Sequence, residues 1–281
     1  MELRDFIPPI VRMIARRSRP SALKEYRSYD EALAESDGYE APDIAEVVLR
    51  KTEIYRDQIA SRKTPKIDSH QTLQNLFVLS FVQPDRPLHV LELGGACGAN
   101  FFELAHLLPG RIASWRIVET PPMVARAREA VHHPALSFFD NVTEAFAEME
   151  SRDLLIAQGV LQYLPAPLEK FEELLTLDFE HIYVSRTLTL TDKLSGDEAV
   201  VFNSESRLAA HGPGPMPSRF TDRRVTTPCT LVADKSLMAR FPAHYRELFW
   251  FNESEPQLLE LGSRVVEFGT IGFLLGRNRI R

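Results

Sequence analysis

The chain of 281 residues contains two cysteines, Cys97 and Cys229, too few for a disulfide framework or a structural zinc site and in keeping with a reducing, cytoplasmic setting. Apolar runs are short: no stretch approaches the roughly 18 residues of a membrane-spanning helix. Nor do residues 1–20 offer the apolar centre of a secretory leader, because Pro8, Pro9 and Arg12 interrupt them. Basic residues do not dominate, with 33 Lys and Arg against 39 Asp and Glu and a formal charge of −6. That balance disfavours nucleic acid as a partner and favours a small acceptor. Several signatures are also missing. The nucleophile elbow G-x-S-x-G, the H-E-x-x-H helix, paired C-x-x-C and the phosphate loop G-x-x-x-x-G-K-[ST] do not occur, so hydrolase, metalloprotease, zinc and P-loop chemistry have no support and no metal is expected.

What is present is concentrated between His89 and Asn100, where the apolar run Val90-Leu91-Glu92-Leu93 enters the turn Gly94-Gly95-Ala96-Cys97-Gly98. The next residues place Phe101, Leu104, Ala105 and Leu108 on one helical face, so the segment reads as strand, tight loop and helix start. Glycines at such a junction let a ligand approach the backbone, and the free N–H groups of the first helical turn favour an anionic group. Two nucleotide patterns compete for the loop. The dinucleotide pattern G-x-G-x-x-G, laid on Gly94, meets Ala96 and Ala99 at its other glycine positions. The pattern acidic-x-G-x-G-x-G of S-adenosylmethionine enzymes fits better, with Glu92, Gly94 and Gly98 in place and Ala96 departing.

Beyond the loop the alternation of strands and helices continues. Trp115 to Thr120 is a second strand ending near Glu119, about 20 positions beyond the loop, where a carboxylate can accept both hydroxyls of a ribose. Leu136 to Asn141 is a third, and Asp140 at its end reads either as a turn former or as an adenine contact. A fourth, Asp153 to Ala157, delivers Gln158, Gly159, Gln162 and Tyr163 to the carboxyl edge, and a fifth, His181 to Ser185, delivers Arg186. Repeated βα units in one direction imply a parallel, doubly wound sheet.

The segments LELGGACG, WRIVETPP, DLLIAQGVLQYLP and IYVSRT resemble the strand motifs of class I S-adenosylmethionine-dependent methyltransferases. More narrowly, with SYDEALAESDGYEAPDI and GTIGFLLGR, the chain is similar over about residues 25–278 to a bacterial methyltransferase family associated with surface-polysaccharide genes. The resemblance implies a Rossmann-like α/β fold with a seven-stranded sheet, and S-adenosylmethionine as the cofactor. It implies cofactor contacts from Glu92, Gly94, Gly95, Ala96, Gly98, Glu119, Thr120, Asp140, Gln158 and Gly159, and methyl transfer to a small-molecule or glycan-precursor acceptor. Methyl transfer needs alignment more than a nucleophile. If the acceptor must lose a proton, Tyr163, Asp68 and His70 are candidate bases, with Arg186 as an anion clamp. Two other readings stay open: a cofactor-binding protein without turnover, and an NAD-dependent oxidoreductase on the same fold.

The remaining expectations concern the flanks. Residues 1–83 read as a helical cap and 84–281 as the cofactor-binding domain, with Leu73, Leu76, Phe77 and Phe81 marking one apolar helix face. Residues 1–20 alternate arginines with Phe6, Ile7, Ile10, Val11, Met13 and Ile14, which suits either a weak peripheral contact with an anionic membrane or a packed end. Arg264 to Phe268 and Ile271 to Leu275, split by Gly269-Thr270, read as a terminal hairpin. The stretch 196–218, rich in Gly and Pro, is either an acceptor lid or an unstructured excursion. Phe249-Trp250-Phe251 reads as core packing in preference to a pocket wall.

Overall fold

The computed structural model describes residues 23–278 apart from 63, 65, 68, 83, 84, 148, 192–198 and 263. Residues 1–20 and Asp68, candidates on sequence grounds, lie outside the described residues. The parallel part of the sheet is made by β2 (Leu88–Leu93), β3 (Ile112–Val118), β4 (Leu136–Phe139), β5 (Leu154–Gln158) and β6 (His181–Leu190). These lie in the order β4-β3-β2-β5-β6, each parallel to its neighbour. The chain moves outward from β2 through β3 to β4 and then returns to β5 on the other side of β2. The carboxyl ends of β2 and β5 therefore flank a topological switch point, the place where an open α/β sheet leaves a crevice.

Two antiparallel strands extend the far edge: β11 (Arg264–Arg277) pairs with β6, and β9 (Tyr245–Asn252) pairs with β11. The expected hairpin within residues 264–275 is not formed. Gly269 does not take the left-handed conformation that a two-residue turn would need, and β11 runs straight through it, opposite Thr189. Among the described residues the sheet has eleven strands, not seven. The additional ones are β1 (Glu25–Tyr26), β7 (Ala199–Arg207), β8 (Arg224–Ala233) and β10 (Gln257–Leu261). Strands β7 and β8 form an antiparallel ribbon that joins the tip of β6, where Thr189 and Leu190 register with Val232 and Ala233. The described part of the stretch 196–218 is thus strand and ordered turn.

Helices cover both faces of the sheet. On one face lie α2 (Pro42–Ser61), α3 (His70–Phe81), α4 (Ala99–Leu107) and α5 (Pro121–Ala130). Pro42 suits the first turn of α2, where its missing N–H is no loss. Ile44, Val47, Val48, Val78 and Leu79 from the two leading helices share one core with Val90, Trp115 and Ile117 of the sheet. On the opposite face α7 (Pro167–Thr176) turns Leu168, Phe171, Leu174 and Leu175 inward, three and four residues apart, against Leu155, Ile182 and Phe273. Short helices α1 (Tyr29–Ala34), α6 (Val142–Ala147) and α8 (Asp234–Met238) complete the set. Trp250 stacks on Phe273 at 5.4 Å, the core role expected for that aromatic run.

Helix α3 reverses one expectation. Its buried residues are Thr72, Asn75, Val78 and Leu79, whereas Leu73, Phe77 and Phe81 are exposed. Polar partners decide the orientation: Thr72 donates to Glu103 Oε2 at 2.8 Å, and Asn75 Oδ1 accepts from Gln158 Nε2 at 2.8 Å. Burying the Leu and Phe face would leave those polar groups without their partners.

Candidate functional site

At the switch point lies a cavity of about 620 Å³, lined by the glycine loop, the ends of β5 and β6, helix α2 and the β7–β8 ribbon. Its size falls in the roughly 300–1,000 Å³ range of small-molecule sites. A larger groove of about 1490 Å³ runs along the opposite ends of the strands. The charged groups there are already paired, Arg86 with Asp153 and Arg277 with Asp178, and no glycine loop borders it, so the smaller cavity is the chemically relevant one.

The loop is shaped by three left-handed residues, Gly94 (φ 72°), Ala96 (φ 51°) and Gly98 (φ 86°). Gly94 also has no room for a side chain, since a Cβ would meet Val160 Cγ2 at 2.8 Å. Ala96 occupies the position where the sequence pattern has glycine, and its backbone conformation carries a strain of about 1–2 kcal/mol. A tertiary contact holds that strain in place, because the Ala96 N–H donates to Glu119 Oε1 at 2.9 Å. Gly98 caps α4 without a side-chain acceptor, so no side chain satisfies the N–H groups of that helix's first turn, whose Ala99 and Asn100 line the cavity.

Glu119 follows β3 and is anchored by backbone only: Oε1 accepts from Ala96 and Oε2 from Thr120, each at 2.9 Å. Burial raises its pKa, and the two N–H donors pull it back. Each carboxylate oxygen retains a lone pair after those bonds, so the group can still accept two hydroxyls. Glu92 differs. It is buried, with Oε1 accepting from Asn100 Nδ2 and Oε2 from Trp115 Nε1, both at 2.7 Å. Burial pushes its carboxyl up to about 7, against the pull of Asn100 and Trp115. Glu92 therefore reaches the cavity mainly through Asn100, whose Nδ2 also donates to Gln158 Oε1 at 3.2 Å.

Arg186 interrupts β6 in the left-handed conformation (φ 53°), with its N–H on Glu253 Oε2 at 2.6 Å and its carbonyl on Gln162 Nε2 at 3.2 Å. Its Nη1 donates to Gln71 Oε1 at 2.8 Å. Tyr163 lies across the cavity with its ring 4.8 Å from that of Tyr39. Burial raises the Tyr163 pKa, so its hydroxyl stays protonated near neutrality and suits donation, not proton abstraction.

The structure thus brings Glu92, Gly94, Gly95, Ala96, Glu119, Gln158, Gly159, Tyr163 and Arg186 to one cavity. Gly98, at the end of the loop, is not among the lining residues, and Thr120 contributes through its N–H to Glu119. Two candidates fall elsewhere: Asp140 is exposed beyond β4 and bonds to Asn141, and His70 is exposed at the start of α3. Neither lines the cavity. Sequence reasoning missed Gln71, Tyr39, the β7 residues Ser204 and Ser206, and His211 in the turn that follows β7. His211 Nε2 lies 2.9 Å from Ser206 Oγ, and its carbonyl accepts from the buried Lys51 Nζ at 2.7 Å. Desolvation lowers the His211 pKa, as do Lys51 and Arg223, so the imidazole is neutral near pH 7. No linear motif marks these residues, because they come from a Gly- and Pro-rich segment and reach the site only through the ribbon. Among the described residues, no group of three or more metal-ligating side chains is clustered, and no helix is long and apolar enough to cross a membrane.

Neither a protein-family model nor a curated protein matches the sequence. Solved structures similar to the chain include one from work on the conversion of a disulfide bond into a thioacetal group during echinomycin biosynthesis. It shows 14% identity and a TM-score of 0.43, over 84% of this chain and 93% of that one. Another is the glycopeptide N-methyltransferase MtfA complexed with S-adenosyl-L-methionine, at 12% identity and a TM-score of 0.40, over 76% of this chain and 97% of that one. A third is EvdMO1, at 17% identity and a TM-score of 0.43, over 81% of this chain and 47% of that one. At such scores these likenesses carry no weight for the chain's chemistry, which rests on its own cavity.

Proposed function

We propose that the cavity binds S-adenosylmethionine and that the chain is a methyltransferase for a small-molecule or glycan-precursor acceptor. The observation that carries this reading is the joint placement of the glycine loop and Glu119, which is anchored by two backbone N–H groups yet still able to accept a pair of hydroxyls. The loop's close approach fits a nucleoside, and the carboxylate fits its ribose. Gln158, Gly159 and the Glu92–Asn100 pair border the far side of the loop, where the amino-acid end of such a cofactor would lie.

Bound there, S-adenosylmethionine supplies a methyl group already activated by its sulfonium. The chain's own task is alignment and exclusion of water. Helix α2 contributes Ile44 and Val48 as an apolar wall; the turn after β7 that carries His211 packs on this helix through Lys51, and Ser204 and Ser206 of β7 add hydroxyls to the lining. The neutral hydroxyls of Tyr39, Tyr163, Ser204 and Ser206 suit an acceptor bearing hydrogen-bonding groups, with Tyr163 orienting it as a donor.

Titration calorimetry of the purified chain with S-adenosylhomocysteine and with NAD, side by side, tests the reading. Micromolar binding of the first and none of the second is expected. Preference for NAD would replace the proposal with a dinucleotide enzyme, and indifference to both would remove the nucleotide site.

A further inference from the structure

Arg186 is set apart from the other arginines of the fold. Most of those reach a carboxylate, as Arg86 reaches Asp153 and Arg223 reaches Asp37 and Asp43. Arg186 lines the cavity, is exposed to it, and among the described residues forms no ion pair within 4 Å; Glu253, which accepts its backbone N–H, feels its charge from farther away. Among the described residues it is also the one lining side chain with a permanent positive charge. Its backbone is held in a conformation unfavourable for a non-glycine residue, by Glu253 on one side and Gln162 on the other. The guanidinium lies over Gly159, where an added Cβ would come within 3.3 Å of Nη2, so the absence of a side chain there makes its place.

Position narrows what this charge is for. Gln71 accepts from Arg186 Nη1 and lies 3.5 Å from both Asn100 Oδ1 and Gln158 Oε1, which connects the guanidinium to the glycine loop and not to the β7–β8 ribbon. Glu119, at the end of β3, stands on the other side of β2. Three inter-strand spacings, about 14 Å, separate the ends of β3 and β6. A nucleoside alone does not bridge that span, but a nucleoside extended by an amino-acid chain does.

Resting on the S-adenosylmethionine reading above, we infer that Arg186 anchors the α-carboxylate of the cofactor's amino-acid chain, with Gln71 orienting the guanidinium. The strained backbone fixes the direction of the side chain before the ligand arrives, which reduces the ordering required on binding.

The experiment uses the full chain and two probes: S-adenosylhomocysteine, which carries the amino-acid chain, and 5′-methylthioadenosine, which lacks it. Arg186→Gln should weaken the first by about tenfold or more, the loss of a charge-assisted contact, and leave the second within about twofold. Arg186→Asn provides a neutral replacement that tolerates the left-handed backbone, so the same selective loss is expected without a folding defect. Equal losses for both probes, or an unchanged affinity for S-adenosylhomocysteine, would overturn the assignment. If the wild-type chain binds methylthioadenosine but gains nothing from the amino-acid chain, the anchor fails while the nucleoside site stands. If it binds neither, the cofactor reading itself fails and the anchor with it.

Discussion

Gly95→Ala isolates the mechanical role of the loop. Gly95 does not have a positive φ, so alanine is acceptable to its backbone, but the new Cβ would stand 2.5 Å from Glu92 Oε2 and 2.6 Å from Cδ. Glu92 cannot swing aside at low cost, because it is 1% exposed and both oxygens are engaged, by Asn100 and by Trp115 Nε1. Losing one of these bonds costs about 1–3 kcal/mol and losing both about twice that. The reduced entropy of the unfolded chain on replacing glycine returns about 0.4–1 kcal/mol. A net destabilisation of about 2–4 kcal/mol follows, measurable by urea unfolding monitored through tryptophan fluorescence. The double-mutant cycle is decisive: in a Glu92→Ala background the obstruction is gone, and Gly95→Ala should then be neutral or stabilise by up to about 1 kcal/mol. An equal loss in both backgrounds would refute the proposed clash.

Two further outcomes are expected. Glu119→Ala should weaken S-adenosylhomocysteine binding by about 1–3 kcal/mol, the value of hydrogen bonds to a charged group, and unchanged affinity in calorimetry would remove Glu119 from the ribose position. His211 gives a pH signature. Its native pKa is depressed below the ordinary 6.5 by burial and by Lys51 and Arg223, with Asp43 opposing. Between the two values the unfolded chain binds more protons, so stability falls as pH drops below about 6.5. Thermal melts of His211→Gln should show a smaller loss over that interval than wild type, and parallel pH profiles would contradict the depressed imidazole.

The parallel half of the fold was legible in the sequence because each strand ran from an apolar segment into a polar or glycine-rich edge, as Val90 to Gly94 and Leu154 to Gly159 do. The cavity residues at those edges came with it, since the carboxyl end of a strand is fixed once its direction is known. The antiparallel half was less legible. Gly269-Thr270 has the composition of a turn, yet both residues pair with Thr189 and Leu188 of β6, and β11 is held by β10 up to Phe268 and by β9 from Ile271, which keeps it extended. Helix α3 misled in the same way: Leu73, Phe77 and Phe81 satisfy a helical period, but Thr72 and Asn75 are committed to Glu103 and Gln158, contacts distant in sequence. His211 and Ser206 were invisible for a similar reason. His211 meets Lys51 and Tyr39, more than 150 residues earlier, only in the folded ribbon.

A structure of the full chain with S-adenosylhomocysteine tests the central claim most directly. The nucleoside should lie over Gly94 to Gly98, with both ribose hydroxyls within hydrogen-bonding distance of the Glu119 carboxylate. A ribose bound away from Glu119, or a ligand seated outside this cavity, would contradict the account.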